Sequence, residues 1–156
     1  MRPNKRTSLL HLIYFSRLNL PAEIPARNRA IEDIARHAQK KNEFSVITSF
    51  LMVDQNFAVQ ILEGERTSVT DTFNRIVRDS RHRDVHIVEW REIAKRDFVH
   101  SFTTSVRGPA SEAVFAKANL LPSFQRGTPK GSAILALAQQ LQAESMTKQG
   151  IEHLFV

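Results

Sequence analysis

The stretch Phe57–Gly64 (FAVQILEG) decides the fold, because it pairs naturally with the segment that precedes it. That segment, Phe44–Val53, is also rich in β-branched and aromatic residues, and only the three polar residues 54–56 separate the two. Two such runs joined by a short polar connection are typical of a β-hairpin. We therefore predict a hairpin at the centre of the domain.

Gln60 is the informative residue of this hairpin. Side chains alternate between the two faces of a strand, so Gln60 shares its face with the apolar residues Ala58 and Leu62. A buried amide without partners costs about 1–3 kcal/mol, and we expect Gln60 to be hydrogen-bonded to a side chain, water or ligand. A structural glutamine with no functional role is the alternative.

Hydrophobic spacing in the rest of the chain predicts two amphipathic helices and three further strands. A loop over residues 19–28 ends at Asn28, which could cap the first helix. The βαββαββ order is typical of an α+β, ferredoxin-like sheet with one added strand and both helices on one face. The predicted elements are strand 9–15, helix 29–41, strands 44–53 and 57–62, helix 69–79, and strands 85–92 and 98–106.

The chain changes character beyond Gly108, where prolines and glycines punctuate two short helical patterns over residues 112–119 and 132–144. Because the predicted strands are apolar on both alternations, a second layer should cover the sheet face opposite the two main helices. This tail is the only candidate. We predict a domain over residues 8–107 and a C-terminal helical extension over residues 108–156 that caps the sheet.

Composition excludes several classes of protein. The chain has 156 residues with 42% apolar content, enough for one core, and it has no cysteine for disulfides or thiolate chemistry. The net charge of +6 comes from basic residues interleaved with acids, which favours a solvated mixed surface over a nucleic-acid site. The N-terminal apolar run is too short to span a membrane, and the six histidines form no compact metal signature, so we expect a cytoplasmic protein without a metal.

Four features stand in a register that resembles the BLUF family of flavin-binding blue-light sensors. They are Tyr14, Asn42, Gln60 and the segment Asp79–His82 (DSRH). The similarity runs from residue 9 to about residue 106, and its most specific pieces are VQILEG around Gln60 and DSRH. Taken singly, each of these residues has an ordinary structural explanation, and the joint spacing carries the resemblance.

The resemblance implies that the isoalloxazine ring of FAD lies between the two helices. Tyr14 would donate an electron and a proton to the excited flavin, with Gln60 as the bridge, and the Gln60 amide would end up rearranged. The result would be a red-shifted absorption that decays in the dark. FMN or riboflavin would serve as well, since they share the ring. The cofactor-binding residues implied are Tyr14, Ile34, Asn42, Gln60, Arg75, Ile76, Asp79 and His82.

The sequence departs from the family pattern around the site. Val46 and Ser49 stand where the family carries glycines around an Ile–Thr pair, and Lys41 stands where it often has a second asparagine. Ser101 and Thr103 occupy the positions of the usual tryptophan and methionine in the last strand, where the resemblance places signalling. Added side chains at the glycine positions would either narrow the flavin slot or repack.

Two functions remain open at this point. One is a stand-alone photoreceptor, not an enzyme, that passes a light-induced change to an unidentified downstream protein and forms a homo-oligomer. The other is a BLUF-like interaction module that has lost flavin binding or the light response. A small hydrolase on the same fold has no positive support in the sequence. Bound flavin would separate the first two.

Overall fold

A five-stranded sheet forms the centre of the molecule in the computed structural model, which describes residues 9–98 and 103–154. The strand order is β4-β1-β3-β2-β5, in which the first four strands are antiparallel to their neighbours and β5 runs parallel to β2. The predicted hairpin is β2–β3, and the α+β ferredoxin-like class is confirmed. The strands are β1 Leu9–Leu18, β2 Thr48–Asp54, β3 Phe57–Glu65, β4 His82–Ile93 and β5 Thr103–Val106.

The helices lie on both faces of this sheet. The first two, α1 Ile24–Ser45 and α2 Arg66–Arg78, contribute Ile31, Ile34 and Val69 to the cores on one face. The other three cover the opposite face and are α3 Glu112–Ala118, α4 Leu121–Arg126 and α5 Gly131–Leu154. Within residues 9–98 and 103–154, no helix is both long and apolar enough to cross a lipid bilayer.

Strand β1 shows why both faces need cover. Leu12 and Tyr14 lie in the core beneath α2, whereas Ile13 and Phe15 lie in the core with the C-terminal helices. All four side chains are at most 4% exposed. The predicted C-terminal cap is therefore confirmed, with Phe115, Phe124 and Leu137 among its buried residues. The division of the chain into units at residues 107 and 108 stays a prediction.

Helix α1 differs most from its predicted bounds. It begins at Ile24 and not at residue 29, so Asn28 lies inside the helix and does not cap it. Pro25 falls in the first turn, where a backbone N–H has no helical partner to lose, and proline is well tolerated there. The helix also includes residues 44 and 45, which were predicted to begin the hairpin strand.

The last predicted strand is shorter in the structure. Phe98 precedes β5 without being part of it, and residues 99–102 lie outside the described residues. Thr103 begins β5 opposite Phe50, whereas Ser101 falls in the undescribed segment. In the tail, α4 was not predicted, and α5 continues ten residues past its predicted end at Glu144 to Leu154.

Candidate functional site

A pocket opens between α1 and α2 against the sheet. It encloses about 560 Å³, part of which is open to solvent, and this volume falls in the range of small-molecule sites, roughly 300–1,000 Å³. All the predicted cofactor-binding residues except Tyr14 line it: Ile34, Asn42, Gln60, Arg75, Ile76, Asp79 and His82. The structure therefore gathers residues that are widely separated in the sequence at one place.

Tyr14 lies directly behind Gln60. The two residues are register partners on the neighbouring central strands β1 and β3, so their side chains share the α1–α2 face of the sheet. The Tyr14 hydroxyl donates to Gln60 Oε1 at 2.6 Å, and the tyrosine is fully buried. The predicted hydrogen-bond partner of the Gln60 amide is thus a protein side chain.

Ser49 extends this contact to the far wall of the pocket. It is fully buried on β2, where Asn42 Nδ2 donates to its Oγ at 2.5 Å and Gln60 Nε2 donates to the same oxygen at 3.4 Å. The second distance is long for an N–H···O bond. A continuous network therefore runs from Tyr14 through Gln60 and Ser49 to Asn42, and it joins β1, β3, β2 and α1.

Val46, the other residue at a family glycine position, has a different environment. It follows the end of α1 with φ 57° and ψ 42°, and its backbone N–H donates to the Asn42 carbonyl oxygen. This left-handed conformation favours glycine after a helix. The Val46 side chain is 74% exposed and does not line the pocket. Of the two added side chains, only Ser49 reaches the site.

An ion pair marks the rim of the pocket. The Arg81 guanidinium donates to Asp79 Oδ2 at 2.6 Å and also bonds Oδ1, and these hydrogen bonds lower the pKa of Asp79 to about 2. Burial of the His82 ring lowers its pKa, so it is neutral at pH 7, and its Nδ1 lies 2.8 Å from Ser16 Oγ.

Burial also raises the pKa of Tyr14, with a smaller contribution from the Asp79 carboxylate. The phenol therefore keeps its proton throughout the physiological range. The inner network of Tyr14, Gln60, Ser49 and Asn42 is accordingly neutral, and the charged Asp79–Arg81 pair is confined to the rim.

Sequence reasoning missed part of the pocket lining. The missed residues on the helices follow from helical spacing, since residues three and four apart share a face. His37, Ala38 and Lys41 extend the row of Ile34 on α1, and Thr72 lies on the same side of α2 as Arg75. Leu51 is the β2 register partner of Gln60, which requires the strand pairing to be known.

The residues assigned to signalling lie away from the pocket. Thr103 is the β5 register partner of Phe50, whose ring stacks on that of Phe98 with centroids 5.7 Å apart. This contact belongs to the core shared with the C-terminal helices. Ser101 lies outside the described residues, so the signalling role of both positions stays a prediction.

A second buried polar cluster lies on the opposite face of β1 and β3. His11 and Glu63 are register partners without exposed side-chain surface, and His11 Nδ1 donates to Glu63 Oε2 at 2.7 Å. The other Glu63 oxygen accepts the backbone N–H groups of Asp97 and Phe98, at 2.8 and 3.0 Å.

Two further carboxylates approach the same imidazole ring. His11 Nε2 faces Glu89 Oε1 at 3.3 Å, and Asp97 Oδ2 lies 3.8 Å from His11 Nδ1. His11, Glu63 and Asp97 each offer an atom that could bind a metal, with all three atoms within 4.8 Å of one another. Because the Nδ1–Oε2 separation is a hydrogen-bond length, we interpret the group as an ionic cluster. We name it the His11 cluster: His11, Glu63, Glu89 and Asp97.

The fold and the pocket together define a ferredoxin-like α+β domain with a small-molecule site between its two main helices. The family model described as "BLUF: Sensors of blue-light using FAD" matches residues 9–102, which is more than half of the chain. The chain belongs to the BLUF family, whose members are photosensors. No curated protein sequence matches it significantly.

Solved structures agree with this assignment. The dark-state structure of the BLUF protein BlrB has a TM-score of 0.68 and 26% identity, over 89% of this chain and 98% of that one. The photo-activated state of BlsA has a TM-score of 0.70 and 23% identity, over 85% and 94%. A bacterial light-regulated adenylyl cyclase has a TM-score of 0.66 and 23% identity, and the match covers 76% of this chain but only 34% of the cyclase. The last two likenesses, at 23% identity, show the fold alone.

Proposed function

We propose that this protein is a blue-light photoreceptor that binds a flavin noncovalently in the pocket between α1 and α2. The single observation that carries the proposal is the 2.6 Å hydrogen bond from the Tyr14 hydroxyl to Gln60 Oε1 at the inner wall of that pocket. It places a phenolic proton beside an amide that lines the site. We assign FAD as the cofactor because the family model names it.

The chemistry of the pocket lining suits a flavin ring. Asn42 and Gln60 each offer an amide that can donate and accept, as the polar edge of an isoalloxazine requires. Ile34, Leu51 and Ile76 offer apolar surface to the faces of the ring. FMN and riboflavin carry the same ring, and the pocket lining makes no distinction between them and FAD.

When bound, the flavin supplies light absorption and accepts an electron and a proton. The protein holds the proton on the Tyr14 oxygen, since its raised pKa prevents loss of the proton in the dark. The Gln60 amide lies between this oxygen and the pocket. A rearranged Gln60 would present a different atom to the pocket, and that is the change we assign to the light-induced state.

We assign the output to the C-terminal part of the chain. Gln60 lies on β3, whose neighbour β2 pairs with β5, and β5 begins at Thr103. Phe50 and Phe98 pack into the core that the C-terminal helices complete. We propose that the change passes through Ser101 and Thr103 to these helices and then to a downstream protein. We also propose that the protein is a cytoplasmic homo-oligomer without enzymatic activity of its own.

One observation favours a second candidate function. Ser49 already accepts hydrogen bonds from Asn42 and Gln60, so the amides that would hold a flavin edge have partners within the protein. That arrangement suits an interaction module of the BLUF fold that no longer binds flavin. The two candidates differ in whether the purified protein carries a chromophore.

Absorption spectra of the purified protein before and after blue light test the proposal. We expect flavin bands and a red shift that reverses in the dark. Gln60→Leu and Tyr14→Phe should both abolish the shift, whereas Gln139→Leu on the exposed side of α5 should leave it unchanged. Absence of flavin bands after reconstitution with FAD, FMN and riboflavin would favour the interaction module. A normal shift in either pocket variant would remove that residue from the mechanism.

A further inference from the structure

Ser49 occupies a position that distinguishes this chain from the usual family pattern. Its hydroxyl is fully buried and lies between the two amides of the pocket, one on α1 and one on β3. A glycine at this position would leave no side-chain group there. The serine therefore adds a hydrogen-bonding group to the inner wall beside the residue to which we assign the light-induced rearrangement.

The two bonds that position the Gln60 amide differ in length. Its oxygen accepts from Tyr14 at 2.6 Å, whereas its nitrogen donates to Ser49 Oγ at 3.4 Å. The first is a strong hydrogen bond and the second is at the weak end of the range. In the arrangement described here, the orientation of the amide is thus set mainly by Tyr14, and Ser49 contributes little to it.

Rotation of the amide by half a turn reverses this balance. The Gln60 oxygen would then face Ser49, and a hydroxyl can donate to a carbonyl oxygen as well as accept from an amide nitrogen. Asn42 donates to Ser49 Oγ at 2.5 Å and fixes the position of that oxygen. Ser49 would therefore give the rotated amide a stronger partner than it gives the present one.

We infer that Ser49 is a positioning residue that prolongs the light-induced state by hydrogen-bonding the rearranged Gln60 amide. The inference rests on the proposed photoreceptor function and assigns to this chain a control on dark recovery. Ser49 acts through Gln60 and Asn42, with which it shares the network. Its hydroxyl is the active group, so any residue without a hydroxyl at this position should have the same effect.

The test compares the dark-recovery rate of the FAD-reconstituted full chain with that of Ser49→Ala and Ser49→Gly. Loss of one hydrogen bond to the rearranged amide should speed recovery about two- to tenfold, and equally in both variants. Thr48→Val is the matched control, since it removes a hydroxyl from the neighbouring residue, which bonds Arg96 on the other face of β2. It should recover at the rate of the original protein.

Three results would overturn the inference while leaving the photoreceptor function intact: unchanged recovery in both Ser49 variants, slower recovery, or an effect of Ser49→Gly that Ser49→Ala does not reproduce. The last would assign the effect to side-chain volume or backbone freedom and not to the hydroxyl.

Side-chain amide NMR resonances of the flavin-free protein give a readout that does not depend on light. Ser49→Ala should shift the resonances of both Asn42 and Gln60, and Thr48→Val should shift neither. Unchanged resonances in Ser49→Ala would overturn the positioning role even in a protein that bound no flavin. Shifted resonances in a protein with no reversible spectral change would support the positioning role and reject the photoreceptor function.

Discussion

The two faces of the β1–β3 strand pair carry polar networks of opposite character. Tyr14 and Gln60 are register partners on the α1–α2 face, and His11 and Glu63 are register partners three residues away on the other face. The first network is neutral and lines a pocket. The second is ionisable and ties residues 97 and 98 to β3. Neutral groups can exchange hydrogen bonds without leaving a buried charge, so the pocket side suits switching and the His11 cluster suits anchoring.

The largest expected effect is on the anchoring side. Glu63→Ala removes the partner of His11 and leaves the backbone N–H groups of Asp97 and Phe98 without their acceptor. Breaking a buried pair in this way should lower the free energy of unfolding by about 3–5 kcal/mol. Urea denaturation measures it, with Glu92→Ala in the exposed Arg66–Glu92 pair as the control, which should lose at most about 1 kcal/mol. Equal losses would refute the anchoring role.

A smaller loss is expected on the pocket side. Tyr14→Phe removes the donor to Gln60 Oε1 and should cost about 1–3 kcal/mol in the same measurement. The double variant Tyr14→Phe/Gln60→Leu removes both partners and should recover part of that loss, because no polar group is left unpaired by the missing bond. The double variant His11→Leu/Glu63→Leu should recover less, since the N–H groups of Asp97 and Phe98 still lack an acceptor. Similar recovery in both double variants would remove the distinction between the two networks.

Two carboxylates should respond to pH in opposite directions. Arg81 lowers the pKa of Asp79 to about 2, so the ionised side chain stabilises the protein above the unfolded pKa of 3.8, and this is lost as pH falls through 2. Burial and the Glu63 carboxylate raise the pKa of Asp97, so ionised Asp97 destabilises the fold, and that penalty disappears as pH falls.

Asp79→Asn should therefore lower stability at pH 7 by about 1 kcal/mol after allowance for solvent screening, whereas Asp97→Asn should raise it. Both differences from the original protein should shrink as the pH is lowered from 5 toward 3. Urea denaturation at a series of pH values measures them. Shifts of the same sign for both variants at pH 7 would contradict the assignment.

The smallest effect concerns Val46, which lies next to the pocket but outside its network. A left-handed conformation costs a non-glycine residue about 1–2 kcal/mol, part of which the entropy of glycine offsets. Val46→Gly should thus raise stability by about 0.5–1 kcal/mol and leave the flavin spectrum unchanged. Asn119→Gly is the control, because Asn119 has the same conformation after α3 but asparagine tolerates it. A larger gain at Asn119 would refute the explanation.

The fold was predictable from the sequence where local patterns and tertiary structure agree. The alternation around Gln60 gave the correct hairpin and the correct requirement for a partner, and the apolar β1 strand required the C-terminal cap. The start of α1 was misjudged because Pro25 was interpreted as a loop residue, although a first-turn proline loses no helical hydrogen bond.

The site was predictable only in part, for a different physical reason. Helical spacing and the family pattern place most of the pocket lining, whereas Ser49 and the His11 cluster depend on strand register. His11, Glu63 and Asp97 are far apart in the sequence and meet only because β1 pairs with β3 at one register out of many. No local pattern indicates that choice.

The register pairing of Tyr14 with Gln60 has a consequence for how this domain tolerates change. Their separation is inherited from the backbone ladder of two central strands, and no loop needs to hold it. Substitutions in the helices and at the pocket rim can therefore accumulate over evolution, or be introduced by a protein engineer, without spoiling the alignment of the pair. For anyone retuning the colour or kinetics of such a domain, the walls are free to vary as long as the ladder is kept.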